Sequence, residues 1–337
     1  MSPDPLSVLD FEKPIAELDE QIARIKQLTL ERGEERSEDI AALEQDRDRL
    51  LEEIFANLSV WDQVLLARHP KRPYTLDFVR LIFDDYTELH GDRLFADDHA
   101  MTGGIARLDG RHVVFVGQQK GRDLKDRQYR NFGSAKPEGY RKALRLMKLA
   151  ERFGKPVICL IDTPAADCSV EAEERGISES IARNLAEMST LETPIVAVVL
   201  GEGGSGGALG IGVADRVLML EHAIYSVIPP EGCAAILWRD PTKHKEMADA
   251  LRVTSDHALR LGVIDEIVPE PLGGAHRNVE LAAKTVKAAV QKHLGQLERL
   301  TIPKLLTNRY KKYRGMGEFQ EVVEEAENNA SPEEAFV

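Results

Sequence analysis

Residues Pro194 to Gly210 read PIVAVVLGEGGSGGALG. The first seven are an unbroken apolar run, rich in β-branched residues, as expected of a strand covered on both faces. Five of the next seven residues, Gly201 to Gly207, are glycine. The apolar stretch that follows predicts a helix opened by this turn. Strand, small-residue turn and helix together point to an α/β protein. The surrounding sequence repeats the alternation. Gly103–Leu108 and His112–Val116 predict two strands joined at Asp109-Gly110, a tight-turn pair. Pro137 to Phe153 predicts a helix, with Pro at its start and Tyr140, Ala143, Leu144, Leu146, Met147 and Ala150 along one side. Pro156 to Asp162 predicts a second buried strand, and Glu171 to Leu191 a long helix. Strands at 217–220, 224–228 and 263–269, and helices at 230–238, 255–261 and 278–300, complete a largely parallel core.

The first sixty residues follow another rule. Ile15, Leu18, Ile22, Ile25 and Leu28, then Ile40, Leu43, Leu50, Leu51 and Ile54, recur at helical spacing on either side of Gly33. This predicts a helical hairpin with one apolar seam per helix, a packing or dimerisation arm over 1–60. Residues 61–316 form the main domain. The stretch 317–337, with seven acidic and no basic residues, reads as a solvated acidic tail.

Composition narrows the function. Lys plus Arg number 44 against 57 Asp plus Glu, a net charge of −13 over 337 residues. Phosphate-rich partners favour the opposite balance, so neither nucleic acid nor an anionic membrane is expected. No apolar run reaches the length of a bilayer span, and the N-terminus has no signal-peptide pattern, so a cytoplasmic protein is expected. Cys159, Cys168 and Cys233 show no C-x-x-C pairing and the nine histidines no H-E-x-x-H spacing. No metal site is therefore expected in this chain.

Three chemistries compete for the glycine turn. Gly201 to Gly206 fits G-x-G-x-x-G, with Glu221 about 20 residues on as a ribose-binding acid. Gly203 to Gly207 fits G-x-S-x-G, with Ser205 as nucleophile, Asp215, and a histidine from His222, His244, His257 or His276. The third reading uses no side chain: consecutive small residues at a helix start leave N–H groups unpaired and approachable, as an oxyanion hole requires.

The residues around this turn resemble a known family. Gly201–Gly210 with Ile211-Gly212-Val213, Ala214-Asp215-Arg216-Val217, Tyr225–Ile228 and Pro230-Glu231-Gly232-Cys233 resembles the α subunit of the carboxyltransferase of bacterial acetyl-CoA carboxylase. The likeness extends to Leu9–Ile15, Ala67–Pro70, Arg72–Asp77, Asn131-Phe132-Gly133, Pro137–Ala143, Ala172–Gly176 and Pro269–Asn278. It implies a crotonase-like (ClpP/crotonase) fold of ββα units carrying the helical arm. It implies a β-subunit partner bearing the zinc ribbon, an α2β2 assembly, and a biotin carboxyl carrier protein that delivers carboxybiotin. It implies transfer of CO2 to acetyl-CoA, giving malonyl-CoA for fatty-acid synthesis. Carried over, Gly206 and Gly207 supply backbone donors for the biotin oxyanion, the loop backbone at Ala165 and Ala166 faces them, and Gly203, Gly204, Ser205, Asp167, Cys168, Pro230, Glu231 and Gly232 line the substrate.

The chain departs from that pattern in places. Where the family reads Gly-Ala-Tyr-Pro-Gly after Asp-Thr-Pro, this chain has Ala165-Ala166-Asp167-Cys168-Ser169, and Asp167 is expected to bring a carboxylate to an anion site. Gln118 replaces the usual His of Gly-His-Gln-Lys-Gly, Ser134-Ala135-Lys136 replaces Met-Pro-Ala, and Pro229 replaces Ser. These changes leave a second reading: a paralogue that handles acyl-CoA or acyl-carrier-protein thioesters without biotin, as decarboxylase, hydratase or isomerase, with Asp167 or Cys168 as acid/base. A third is a subunit that only scaffolds its partner.

Overall fold

The computed structural model describes residues 8–32 and 36–317. A 3-10 turn (Asp10–Glu12) leads into α1 (Lys13–Arg32), and α2 (Ser37–Ala56) packs back against it. Ile15, Ile22 and Leu51 from the predicted seams are buried, and Lys26 bonds Glu44 across the pair at 2.7 Å. Next come α3 (Val60–Ala67) and α4 (Thr75–Ile82). Ser59 starts α3 with a reciprocal capping box to Asp62, which satisfies backbone donors that the helix itself leaves open.

The sheet begins with β1 (Asp85–Glu88), β2 (Met101–Leu108) and β3 (Arg111–Gln118), paired antiparallel. Asp109 and Gly110, at φ of 48° and 77°, make the predicted tight turn between β2 and β3. The chain continues through α5 (Leu124–Tyr129), a 3-10 turn (Asn131–Gly133), α6 (Pro137–Arg152), β4 (Val157–Thr163), α7 (Val170–Glu174), α8 (Ile177–Thr190), β5 (Ile195–Gly204) and α9 (Ser205–Leu209). It closes with β6 (Arg216–Leu220), β7 (Ile224–Ser226), α10 (Pro230–Trp238), α11 (His244–Leu251), α12 (Ser255–Arg260), β8 (Glu266–Val268), α13 (Val279–Leu297) and α14 (Ile302–Arg314). The sheet order is β1-β2-β3-β4-β5-β6-β8, with β7 on the end of β5, and every pairing from β3 onward is parallel. β4 is buried along its whole length and β5 up to Gly203, as their apolar runs require. α6 packs on β2 and β3 and against α8, while α13 packs on β5 and against α4.

Several expectations are corrected. The helix predicted over 171–191 is two helices, because Gly176 adopts φ 79° and breaks the ladder between α7 and α8. The glycine stretch is not all turn: β5 runs on to Gly204 and the helix behind it is only five residues long. The strand expected at 224–228 stops at Ser226, that at 263–269 covers only 266–268, and the helix expected to Leu300 ends at Leu297. β1, α3, α4, α5, α11 and α14 had no counterpart in the sequence reading. The acidic tail beyond Gly317 lies outside the described residues.

Candidate active site

The C-terminal ends of parallel strands β4 and β5 lie side by side, and there the sheet opens into a cleft, the usual place for a ligand in such sheets. The register shifts between Ile161 and Thr163, so that Thr163 pairs with Gly203. Side chains have no space here. A Cβ on Gly204 would fall 1.9 Å from the Pro164 carbonyl oxygen, and one on Gly207 would fall 2.6 Å from the Ala165 carbonyl carbon. Glycine is required because the 164–166 backbone rides directly on the turn. Gly206 differs: its nearest neighbour would be Ile181, at 3.6 Å.

Ser205 joins β5 to α9 at φ 50°, a left-handed conformation that costs a non-glycine residue about 1–2 kcal/mol. It occupies the first position of α9, so the N–H groups of Ser205, Gly206 and Gly207 have no partner within the helix. The Gly207 carbonyl, by contrast, is held twice: by Gln118 Nε2 at 2.9 Å and by Tyr140 Oη at 3.3 Å. Gly203 and Gly204 line a shallow cleft with Pro164, Arg68, Glu202, Ser226 and Pro230.

A charged network underlies that cleft. Lys120 Nζ lies 2.8 Å from Asp162 and 2.7 Å from Glu202. Arg68 bonds Glu202 at 2.7 Å and Glu231 at 2.6 Å. The Glu202 N–H donates to Asp162 at 3.0 Å. Burial works against the Lys120 charge, but the carboxylates of Asp162 and Glu202 outweigh it and hold the ammonium above its ordinary pKa. Burial likewise opposes ionisation of Glu202, yet Lys120 and Arg68 keep its pKa below the ordinary value. Burial pushes Tyr225 up to about 12 and Tyr140 higher still. Lys120 is thereby held as the cation, Glu202 as the anion and the two tyrosines as neutral phenols near neutral pH, and beside them the turn offers backbone N–H donors.

The rival motifs do not assemble. Asp215, the acid proposed for Ser205, is buried against Arg309 at 2.7 Å and accepts the Ile195 N–H. His222 packs on Phe55, His244 on Trp61, His257 bonds Thr254, and His276 bonds Glu12. Glu221, the proposed ribose acid, accepts the Glu270 N–H.

The sequence profile of the acetyl co-enzyme A carboxylase carboxyltransferase-like family matches residues 8–317. The chain is 53% identical over 316 residues to the acetyl-coenzyme A carboxylase carboxyl transferase subunit alpha of Methylococcus capsulatus, covering 94% of this chain and 98% of that protein. It is 55% identical to the same subunit of Geobacter metallireducens, covering 93% and 98%. The chain belongs to the acetyl-CoA carboxylase carboxyltransferase alpha-subunit family. Among solved structures, transcarboxylase 12S superposes with a TM-score of 0.50 at 23% identity, over 65% of this chain and 42% of that one. The beta subunit of Pseudomonas aeruginosa geranyl-CoA carboxylase gives 0.51 at 15% identity, over 75% and 45%. The fold is crotonase-like, as the resemblance implied.

For this alpha-subunit family member the altered loop can now be placed. Asp167 does not offer a free carboxylate: its oxygens accept from the Ser169 N–H at 3.0 Å and the Ser169 hydroxyl at 3.1 Å. Ser169 in turn caps α7 by accepting the Ala172 N–H. The Asp167 carboxylate thus closes a local turn at the head of α7. Ala165 and Ala166 do sit against Gly207, while Cys168 is exposed. Pro230 lines the cleft and Glu231 reaches it through Arg68; Gly232 follows them on α10.

Lys120, Arg68, Glu202 and Tyr140 had no role in the sequence reading. The available signal was a charged residue, Glu202, interrupting a glycine run.

One carboxylate–histidine cluster lies at the root of the arm. Ligand atoms of Glu12, His69 and His276 fall within 4.8 Å of one another, a donor set that suits a divalent cation. However, the Lys71 N–H donates to His69 Nδ1 at 3.1 Å. This places the neutral ring's proton on Nε2, the atom that faces Glu12 at 3.6 Å and would have to coordinate. In this hydrogen-bonded state the cluster ties the arm to the body. No described helix is long and apolar enough to cross a membrane.

Proposed function

We propose that this chain is the alpha half of a biotin-dependent carboxyltransferase that moves CO2 from carboxybiotin to acetyl-CoA, giving malonyl-CoA. Carboxybiotin, carried on a biotin carboxyl carrier protein, supplies the CO2. Gly206 and Gly207 direct their unpaired N–H groups to the oxygen that gains charge on the biotin ring as CO2 departs. Removing one such donor costs about 3–4 kcal/mol of barrier. The Pro164-Ala165-Ala166 backbone forms the facing wall, and Gly203, Gly204, Ser205, Pro230, Glu231 and Gly232 border the substrate. No side chain of the cleft is needed as acid or base in this reading; bound carboxybiotin would supply both the CO2 and the base for the acetyl methyl proton, and this chain's part is to hold the developing negative charge with the Gly206 and Gly207 N–H groups.

A beta subunit with a zinc ribbon completes the site in an α2β2 assembly, in the cytoplasm, supplying fatty-acid synthesis. Residues 1–60 serve as the packing arm and 61–316 as the carboxyltransferase domain. The observation that carries this reading is the glycine turn, whose first N–H groups have no partner within the short helix they open. The family match over residues 8–317 supports this reading rather than a biotin-free paralogue.

The test uses the chain co-purified with its beta partner, incubated with malonyl-CoA and biocytin. Acetyl-CoA should form only when biocytin is present. Turnover without biocytin, or none from a folded complex, overturns the reading.

A further inference from the structure

Gln118 is the last residue of β3 and is completely buried. Its side chain joins three elements at one point. Nε2 donates to the Gly207 carbonyl at 2.9 Å, and Oε1 accepts the Asp162 N–H of β4 at 3.3 Å. The opposite amide orientation would set oxygen against oxygen and N–H against NH2, so the partners fix which end is which. The backbone of Gln118 is held as well, since its carbonyl accepts the Thr75 hydroxyl.

This clamp matters because of what it holds. Gly206 and Gly207 are adjacent glycines in a helix of five residues, and no side chain of their own restricts where their N–H groups point. The turn must be held from outside, and the Gly207 carbonyl, in the peptide plane next to the Gly206–Gly207 one, is one place where the protein grips it. Tyr140 reaches the same oxygen at 3.3 Å, but Gln118 alone ties it to the backbone of β4.

We propose that Gln118 is a positioning residue for the reaction: by gripping the peptide that follows Gly207 it pins the Gly207 end of the turn, and so holds the preceding Gly206 and Gly207 N–H groups where the anion develops. The proposal rests on reading those N–H groups as the oxyanion hole. It also gives the clamp a distinctive property. An amide carries no proton to gain or lose across the neutral range, so the grip is independent of pH.

The test exploits that property in the complex with the beta partner, using biocytin and malonyl-CoA. Gln118→Met removes both hydrogen bonds at similar length; kcat should fall about 10- to 100-fold with the KM for each substrate within about twofold. Gln118→His keeps one donor and one acceptor while neutral but loses the acceptor when protonated, so its kcat relative to wild type should fall as pH drops through the imidazole range. Gln118→Glu can donate to Gly207 only as the uncharged acid, so its relative kcat should fall as pH rises. Opposite slopes would not arise from a merely structural role. The proposal is overturned if folded Gln118→Met keeps kcat within twofold, if it raises only the KM for biocytin, or if both titratable variants give flat ratios. Failure of the underlying reading looks different: wild type itself would then show no biocytin-dependent turnover.

Discussion

Gly207 and Ala165 leave no space between them: a Cβ on Gly207 would stand 2.6 Å from the Ala165 carbonyl carbon and 2.7 Å from the Ala166 nitrogen. Both are backbone atoms, so no side-chain rotation relieves the clash, and Gly207→Ala must displace the 164–166 loop. Overpacking of this kind costs about 1–3 kcal/mol. Gly206→Ala meets only Ile181, at 3.6 Å, and should cost no more than about 0.5 kcal/mol. Thermal unfolding of the two variants should separate them clearly, with Gly207→Ala melting lower. Equal melting temperatures would show that the loop does not press on the turn.

Ser205 tests whether the turn uses a side chain at all. It sits at φ 50°, where glycine is at ease, and of its nucleophile-motif partners Asp215 pairs with Arg309, His222 packs on Phe55, and His244, His257 and His276 bond other groups. Ser205→Gly keeps the N–H, relieves the left-handed strain and removes the hydroxyl. Biocytin-dependent kcat should stay within about threefold of wild type, whereas removing a true nucleophile costs up to ~10⁶ in rate. A collapse of turnover in a folded Ser205→Gly complex would restore the nucleophile reading.

What the sequence disclosed follows the range of the forces involved. The β4 and β5 runs, the Asp109-Gly110 turn and the Pro-initiated α6 are local patterns, and they were legible. Gly176 was a visible breaker inside a helical pattern, but the amphipathic spacing on both sides concealed the break. The site divides the same way. The glycines announce close backbone approach, but what they approach is set by pairings across the chain: Gln118 reaches Gly207 over 89 residues and Lys120 reaches Glu202 over 82. The turn that Asp167 closes with Ser169 is a local pairing that its residue type alone did not announce.

Glu12 gives the arm a pH dependence whose sign can be worked out. Burial opposes its ionisation, but the hydrogen bond and charge of His276, 2.8 Å away, prevail and lower its pKa below the ordinary 4.5. A carboxyl whose folded pKa is depressed contributes stability above its unfolded value, and that contribution is lost as pH falls through the folded value. Glu12→Gln removes the titrating group. The melting-temperature advantage of wild type over Glu12→Gln should therefore be full near pH 5 and narrow as pH is lowered from there. An advantage that stays constant down that range would mean Glu12 does not hold the arm through its charge.

The pairing of Arg309 with Asp215 fixes the last described helix, one that no local pattern had predicted. Arg309 is 1% exposed, and its guanidinium uses every face. Nε and Nη2 take the two Asp215 oxygens at 2.9 and 2.7 Å, Nη1 reaches the carbonyls of Met188 and Leu191, and Nη2 also reaches that of Thr193. Those carbonyls lie between the end of α8 and the start of β5, and Asp215 itself accepts the Ile195 N–H. One side chain on α14 thus satisfies the connection that launches the glycine-bearing strand. Arg309→Met leaves Asp215 buried and uncompensated, together with three carbonyls, and should destabilise the fold by about 3–5 kcal/mol. Arg309→Lys restores the charge but not the five-way geometry, so it should recover only part of the loss. Chemical denaturation of the three proteins checks this. If Lys restores full stability, the guanidinium geometry is not what matters; if Met is neutral, α14 is not anchored at this point.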